Sequence, residues 1–210
     1  MEVLILGANG KIAKKAIELF IEKTDANLTL YLRKAKRLSA LSSERVKLTE
    51  GDTLDTENLT KAMENKDLVY ANLSGDMELQ AKSIITAMNQ SEVKRLIFVT
   101  TLGILNEVPG KFGKWNNQQI GAYLPSYRKA SELIEASDLN YTILRPAWLT
   151  DEDEIDYEIT SRNEVFKGTE VSRKSVAAFV VEISKKPELY LKNNIGINKP
   201  NTDGEKPAFM

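Results

Sequence analysis

Residues Val3–Lys15 constrain the chain most. Val3, Leu4, Ile5 and Leu6 form an unbroken apolar run that ends at Gly7. Such a run marks a strand covered on both faces rather than one. Gly7, Gly10 and Ala13 follow at three-residue spacing, and Ile12, Ala13, Ala16, Ile17 and Phe20 then keep one helical face. The stretch therefore reads as buried strand, tight turn, amphipathic helix. Gly7 permits the turn, Gly10 carries no side chain that would hold off a pyrophosphate, and Ala13 lets the helix pack close to the sheet. The helix opens with free N–H groups and its positive dipole end at the turn, which makes an anion site. A glycine triplet alone is weak evidence. Its place between a buried strand and a patterned helix makes it a dinucleotide phosphate loop.

Composition narrows the chemistry. The 210 residues suffice for one domain with a sizeable core. Lys and Arg number 29 against 30 Asp and Glu, so no global field favours nucleic acid or an anionic membrane. No stretch is long and apolar enough to span a bilayer. The chain enters a strand at once, so no signal peptide is expected. Cysteine is absent, which fits a reducing cytoplasm. Histidine is absent too. That excludes a Ser-His-Asp hydrolase, a His-ligated zinc site and a His general base. Acid–base chemistry is left to Lys, Tyr, carboxylates or a cofactor, and no metal is expected.

Strand and helix patterns alternate along the chain. Leu28–Leu32, Val46–Glu50, Asp67–Leu73, Arg95–Thr101 and Tyr141–Leu144 read as further strands. Glu57–Asn65, with Thr56 as its cap, Glu78–Gln90 and Ser126–Ser137 read as helices between them. Alternation of this kind predicts a parallel sheet. Leu102–Pro125 breaks the rhythm. It holds Gly103, Pro109, Gly110, Gly113 and Gly121, and reads as a long loop in which Phe112 and Trp115 pack or roof a substrate. Asp151–Glu158 reads as a solvated acidic loop without the pattern of a calcium loop. Val165–Val171 looks extended, a helix starts at Ser172 or Arg173, and the tail from Asn198 is turn-rich.

Several residues then carry candidate chemistry. In dinucleotide folds a carboxylate roughly 20 residues past the glycines binds the ribose 2′-hydroxyl, whereas an Arg accommodates a 2′-phosphate. Here the second strand ends in Arg33-Lys34, which points to NADP(H). The alternative for this pair is a solvated basic turn. Thr100 and Thr101 end the fifth strand, where ligands of open α/β sheets bind. A strand-end threonine serves the sheet as readily as a substrate carbonyl or the nicotinamide amide. Lys129 follows the long loop; with Glu132 and Glu135 on the same helix, a surface ion pair is its plain alternative. A Tyr one helical turn before Lys129 would make an acid, but Pro125 stands there. Arg145 suits an ion pair behind the site.

These residues resemble the atypical short-chain dehydrogenase/reductase group, the NmrA-like NAD(P)-binding proteins, through nearly the whole chain. Gly7-Ala8-Asn9-Gly10-Lys11-Ile12-Ala13 resembles the group's phosphate loop, and Leu32-Arg33-Lys34 its 2′-phosphate segment. Gly51-Asp52-Thr53 is similar to the turn that meets the adenine, and Ala71-Asn72-Leu73-Ser74-Gly75 to the segment passing the ribose. Thr100-Thr101-Leu102-Gly103 takes the place of the catalytic Ser/Thr, with Thr101 the better positional match. The resemblance implies a Rossmann-like, doubly wound α/β domain over residues 1–210, with strand order 3-2-1-4-5-6 and a small cap from the loops 102–125 and 146–168. It implies an NADPH-dependent reductase of a small, easily reduced conjugated acceptor, with Thr101 and Lys129 at the reacting end. Members with ordinary dehydrogenase chemistry carry Tyr-x-x-x-Lys, and this chain departs from that pattern at Pro125. The alternative is therefore a redox sensor that distinguishes NADP from NADPH for a protein partner. Neither reading involves nucleic acid or a membrane.

Overall fold

The computed structural model describes residues 1–210. Strand β1 (Glu2–Leu6) is buried on both faces, as its apolar run dictates. It pairs in parallel with β2 (Asn27–Leu32) on one side and β4 (Leu68–Ala71) on the other. Strand β3 (Val46–Glu50) joins beyond β2, and β5 (Arg95–Val99) and β6 (Asn140–Pro146) join beyond β4. The order 3-2-1-4-5-6 is thus present. The sheet continues past it: β10 (Asn193–Asn198) lies parallel to β6, and β8 (Glu158–Thr160) pairs antiparallel with β10 to complete eight strands. Strands β7 (Trp148–Thr150) and β9 (Glu170–Ser172) form a separate parallel pair.

Helices cover both faces. Helix α1 (Lys11–Lys23) buries Ile12, Ala13, Ala16, Ile17 and Phe20, the face set by its sequence period, and packs beside α6 (Arg173–Lys185). Helices α2 (Thr56–Met63), α3 (Met77–Gln90) and α5 (Leu124–Glu135) cover the opposite face. Side chains alternate along each strand, so neighbours such as Leu4 and Ile5 enter different cores.

Four expectations are corrected. Asp55, not Thr56, caps α2: its Oδ1 accepts the Asn58 N–H at 3.2 Å, while the Thr56 hydroxyl bonds Ser83 at 2.9 Å. The supposed loop 102–125 contains helix α4 (Gly110–Ile120). Its breakers sit at its ends, with Pro109 before the first residue and Gly121 after the last. Gly113 lies inside because a Cβ there would strike the Val108 carbonyl. The stretch 165–169 is not strand; only Glu170–Ser172 pairs. The acidic run is not merely solvated. Asp151 meets Lys11 at 3.3 Å and Arg173 at 2.7 Å, Asp153 meets Lys174 at 2.6 Å, and Glu154 meets Lys199 at 2.8 Å. No helix is long and apolar enough to cross a membrane.

Candidate functional site

The parallel strands deliver their carboxyl ends to one edge, where a cleft of about 900 Å³ opens beyond β1–β4. Its first wall is the turn between β1 and α1. Gly7 adopts φ +71°, and a Cβ on it would collide with the Asn72 carbonyl. Only glycine meets both demands. The Gly10 N–H closes the turn on the Gly7 carbonyl at 2.9 Å. No side chain caps α1 at Gly10 and its first turn holds no acid, so its leading N–H groups are open to an anion. The second reason for Gly10 was not legible in the sequence: a Cβ there would meet the Asn72 amide before reaching any ligand.

The far wall is basic. Arg33, Lys34 and Arg37 line the cleft after β2, and none of them takes part in an ion pair. Glu50, the last residue of β3, accepts the Ala35 N–H at 2.9 Å. Between the two walls, Asp52 is folded into its own turn, its Oδ1 accepting the Leu54 N–H at 3.0 Å. The Tyr31 hydroxyl donates to the Asp52 carbonyl at 3.1 Å, and the ring occupies the space that a side chain at Gly51 would need. Burial, and after it Asp55 and Asp52, push the Tyr31 hydroxyl above its ordinary pKa, which keeps it a neutral donor. The Thr53 hydroxyl donates to Gln80 Oε1 at 3.0 Å, and Gln80 Nε2 donates to the Ser74 carbonyl at 2.9 Å. This chain ties the exit of β3 to the exit of β4.

Of the expected residues, the structure brings Gly7, Asn9, Gly10, Arg33, Lys34, Asp52, Thr53, Leu73, Ser74 and Gly75 together around this cleft. Lys11 stands outside, paired with Asp151, and the side chains of Ile12 and Ala13 face the core. Only the N–H groups of these three bear on the turn. The buried Thr100 hydroxyl donates to the Leu144 carbonyl at 2.9 Å and so serves the sheet. Thr101 is half-buried beyond β5 and does not line the cleft. Lys129 also stays out of it; its ammonium lies 3.4 Å from Glu132, with both side chains half exposed. Gln80 was not anticipated. The signal was a polar residue on the buried face of α3, between Met77 and Ala81.

The cap is organised differently. Arg145 is fully buried and pairs with Glu107, whose carboxylate also accepts the N–H groups of Gly103 at 3.0 Å and Leu105 at 2.9 Å. Arg145 Nε donates to Asn194 Oδ1 at 2.9 Å, and Asn194 Nδ2 reaches Ser131 and Glu135. Burial lowers the Arg145 pKa while Glu107 opposes the shift. Phe112, Trp115 and Trp148 form an aromatic run, with the two indoles 4.7 Å apart.

A glycine turn at an open helix end, joined by one cleft to three unpaired cations, fits an NAD(P) dinucleotide. Comparison with known proteins agrees. A protein of the Rossmann-fold NAD(P)-binding family from Shigella flexneri is 50% identical, with a TM-score of 0.85 over 100% of this chain and 98% of that one. A short-chain dehydrogenase/reductase (wide type) from Veillonella parvula DSM 2008, solved in complex with NADP, is 30% identical, with a TM-score of 0.93 over 99% of each chain. The uncharacterized sugar epimerase YhfK of Bacillus subtilis (strain 168) is 27% identical over 165 residues, 72% of this chain and 74% of that protein. The NAD(P)H-binding family model matches residues 7–187, and this chain, with its short-chain dehydrogenase/reductase-like Rossmann fold, belongs to that family.

Proposed function

We propose that the protein is an NADPH-dependent reductase of the atypical short-chain dehydrogenase type, acting on a small conjugated acceptor, quinone-like or flavin-like. The observation that carries the cofactor choice is the unpaired trio Arg33, Lys34 and Arg37 at the end of β2. A carboxylate there would select a ribose hydroxyl and repel a phosphate; guanidinium groups fork onto phosphate oxygens. In this reading the open N–H groups of α1 hold the pyrophosphate and the Asp52–Thr53 turn borders the adenine. Leu73, Ser74 and Gly75 pass the ribose.

When bound, the nicotinamide supplies the hydride. The protein's part is to orient the acceptor and to answer the charge that develops on it. Thr101 offers a hydroxyl beyond β5, Pro125 replaces the Tyr of a ketone reductase, and Lys129 is engaged by Glu132. A conjugated acceptor spreads charge and takes its proton from water, so it asks least of this site. The same weak acid equipment favours the second reading, an NADP(H) redox sensor acting on a protein partner. The cysteine-free composition fits the cytoplasm as its setting.

The deciding experiment is calorimetry with NADPH and NADH, followed by turnover of quinones, flavins, ketones and aldehydes by the wild type and Thr101→Val. Tighter binding of NADPH with turnover of conjugated acceptors supports the reductase. Fast turnover of a plain ketone overturns the acceptor class. Tight NADPH binding with no turnover of any acceptor moves the assignment to the sensor.

A further inference from the structure

A second, smaller cleft of about 230 Å³ opens between the loop after β5, helix α4 and the start of α5. One of its walls is Gly103, two residues beyond Thr101. Its polar wall is the side chain of Asn116, a residue only 2% exposed. The orientation of that amide is fixed by chemistry. Trp148 Nε1 can only donate, and it lies 2.9 Å from the Asn116 side chain, so the atom facing it is the carbonyl oxygen. The amide NH₂ is therefore the end turned into the cleft, and no protein group accepts from it. Gly103, at φ +88°, makes room for it: a Cβ there would stand 2.8 Å from Asn116 Nδ2. Lys114 lines the same cleft, and its ammonium is in no ion pair. No carboxylate lines the cleft, and Glu107 nearby is consumed by Arg145 and two backbone N–H groups. Val108 and Leu124 supply apolar walls.

An amide donor that no protein group answers, open to the cleft beside a free ammonium, is a site for negative oxygen. Its small volume, single cation and apolar sides suit the planar, singly charged carboxylate of an organic acid better than a phosphate dianion. We propose that this cleft seats a carboxylate of the substrate, so that the acceptor is a conjugated organic acid whose reducible part extends toward Thr101. The assignment rests on the reductase reading for the identity of its ligand as substrate, but the anion site can be tested alone.

The test is a titration of the ¹⁵N-labelled full chain, with and without NADP⁺, using benzoate, benzamide and inorganic phosphate as probes. The readouts are the Asn116 side-chain amide and the Trp148 indole N–H. The chain's two tryptophans are separated by a Trp115→Phe control. Benzoate should move both signals saturably and benzamide should not. Lys114→Gln should weaken benzoate about tenfold, the size of one hydrogen bond to a charged group. Asn116→Asp keeps an acceptor for Trp148 but turns a negative oxygen into the cleft. The indole signal should stay in place and the benzoate response should vanish. Equal responses to benzoate and benzamide, a stronger response to phosphate, or no response to benzoate would each overturn the carboxylate site. Calorimetry on the same sample reports NADP⁺ binding. A benzoate response without NADP⁺ binding keeps the anion site and removes the cofactor reading, whereas NADP⁺ binding without a benzoate response does the reverse.

Discussion

The two halves of the carboxyl edge handle charge in opposite ways. Beyond β1–β4, Arg33, Lys34 and Arg37 are left unpaired around an open cleft and the helix end carries no cap. Beyond β5 and β6, the buried Arg145 is neutralised by Glu107, and Asn194 and Glu135 extend the network. The first half holds its cations in water, where they cost little, and keeps them free for a ligand. The second has taken a cation out of water and must answer it within the protein. The contrast separates ligand-directed charge from architectural charge, and it can be broken in four places.

The largest effect belongs to Glu107→Ala. It leaves Arg145 buried without its counter-charge and orphans two N–H groups, so urea denaturation should show a loss of about 3–5 kcal/mol. A loss below about 1 kcal/mol would mean that water reaches Arg145. Next is Arg33→Ala, the converse case. Calorimetry should lose about 1–3 kcal/mol of NADPH binding, with NADH binding and the apo melting temperature unchanged. A lower melting temperature would show that Arg33 also serves the fold. Gln80→Leu should cost about 1–2 kcal/mol, because the Thr53 hydroxyl and the Ser74 carbonyl both lose their partner. It should also weaken NADPH binding by loosening the cleft wall, and unchanged affinity would make the chain of bonds purely structural.

The smallest effect is acid loosening of the cap. The hydrogen bond from Lys11, with help from Arg173, holds Asp151 below the usual carboxylate range, and the bond from Lys174 does the same for Asp153. A pKa lowered in the folded state means stability that is present above the unfolded value of about 3.9 and lost as pH falls through the folded value. Melting temperature should therefore drop below about pH 4, and less steeply in Asp151→Asn/Asp153→Asn. Identical acid profiles for the variant and the wild type would remove these clamps from the account.

The same contrast explains what could be read in advance. The cofactor half is built from local signals: the apolar run of β1, the helical period of α1, the glycines of the turn and the basic end of β2 are each legible in a short stretch, and all lie between Val3 and Arg37. Its unforeseen member, Gln80, acts across the cleft on Thr53, and the approach of the Asn72 side chain to Gly10 was likewise not legible. The cap half depends on partners far apart in the chain. Arg145 meets Glu107, and Asn194 meets Glu135. Strand β10 reads Asn-Asn-Ile-Gly-Ile-Asn, a composition of turns, yet it is buried because β6 and β8 take up its backbone and Asn198 bonds Glu158. Helix α4 was hidden by glycine and proline at its ends, which mark loops and helix boundaries alike.

The position of β10 has a consequence for synthesis on the ribosome. Strands β1–β6 emerge in chain order and can pair as they appear, since each crossover closes on a neighbour already made. The cap cannot. Its outer strand β8 is made early but has no place in the sheet until β10 arrives to pair with it. Arg145 waits for Asn194 over the same interval, 49 residues later in the chain. A nascent chain therefore has the strands that edge its cleft before the cap can close, while α1, which packs beside α6, still lacks its cover.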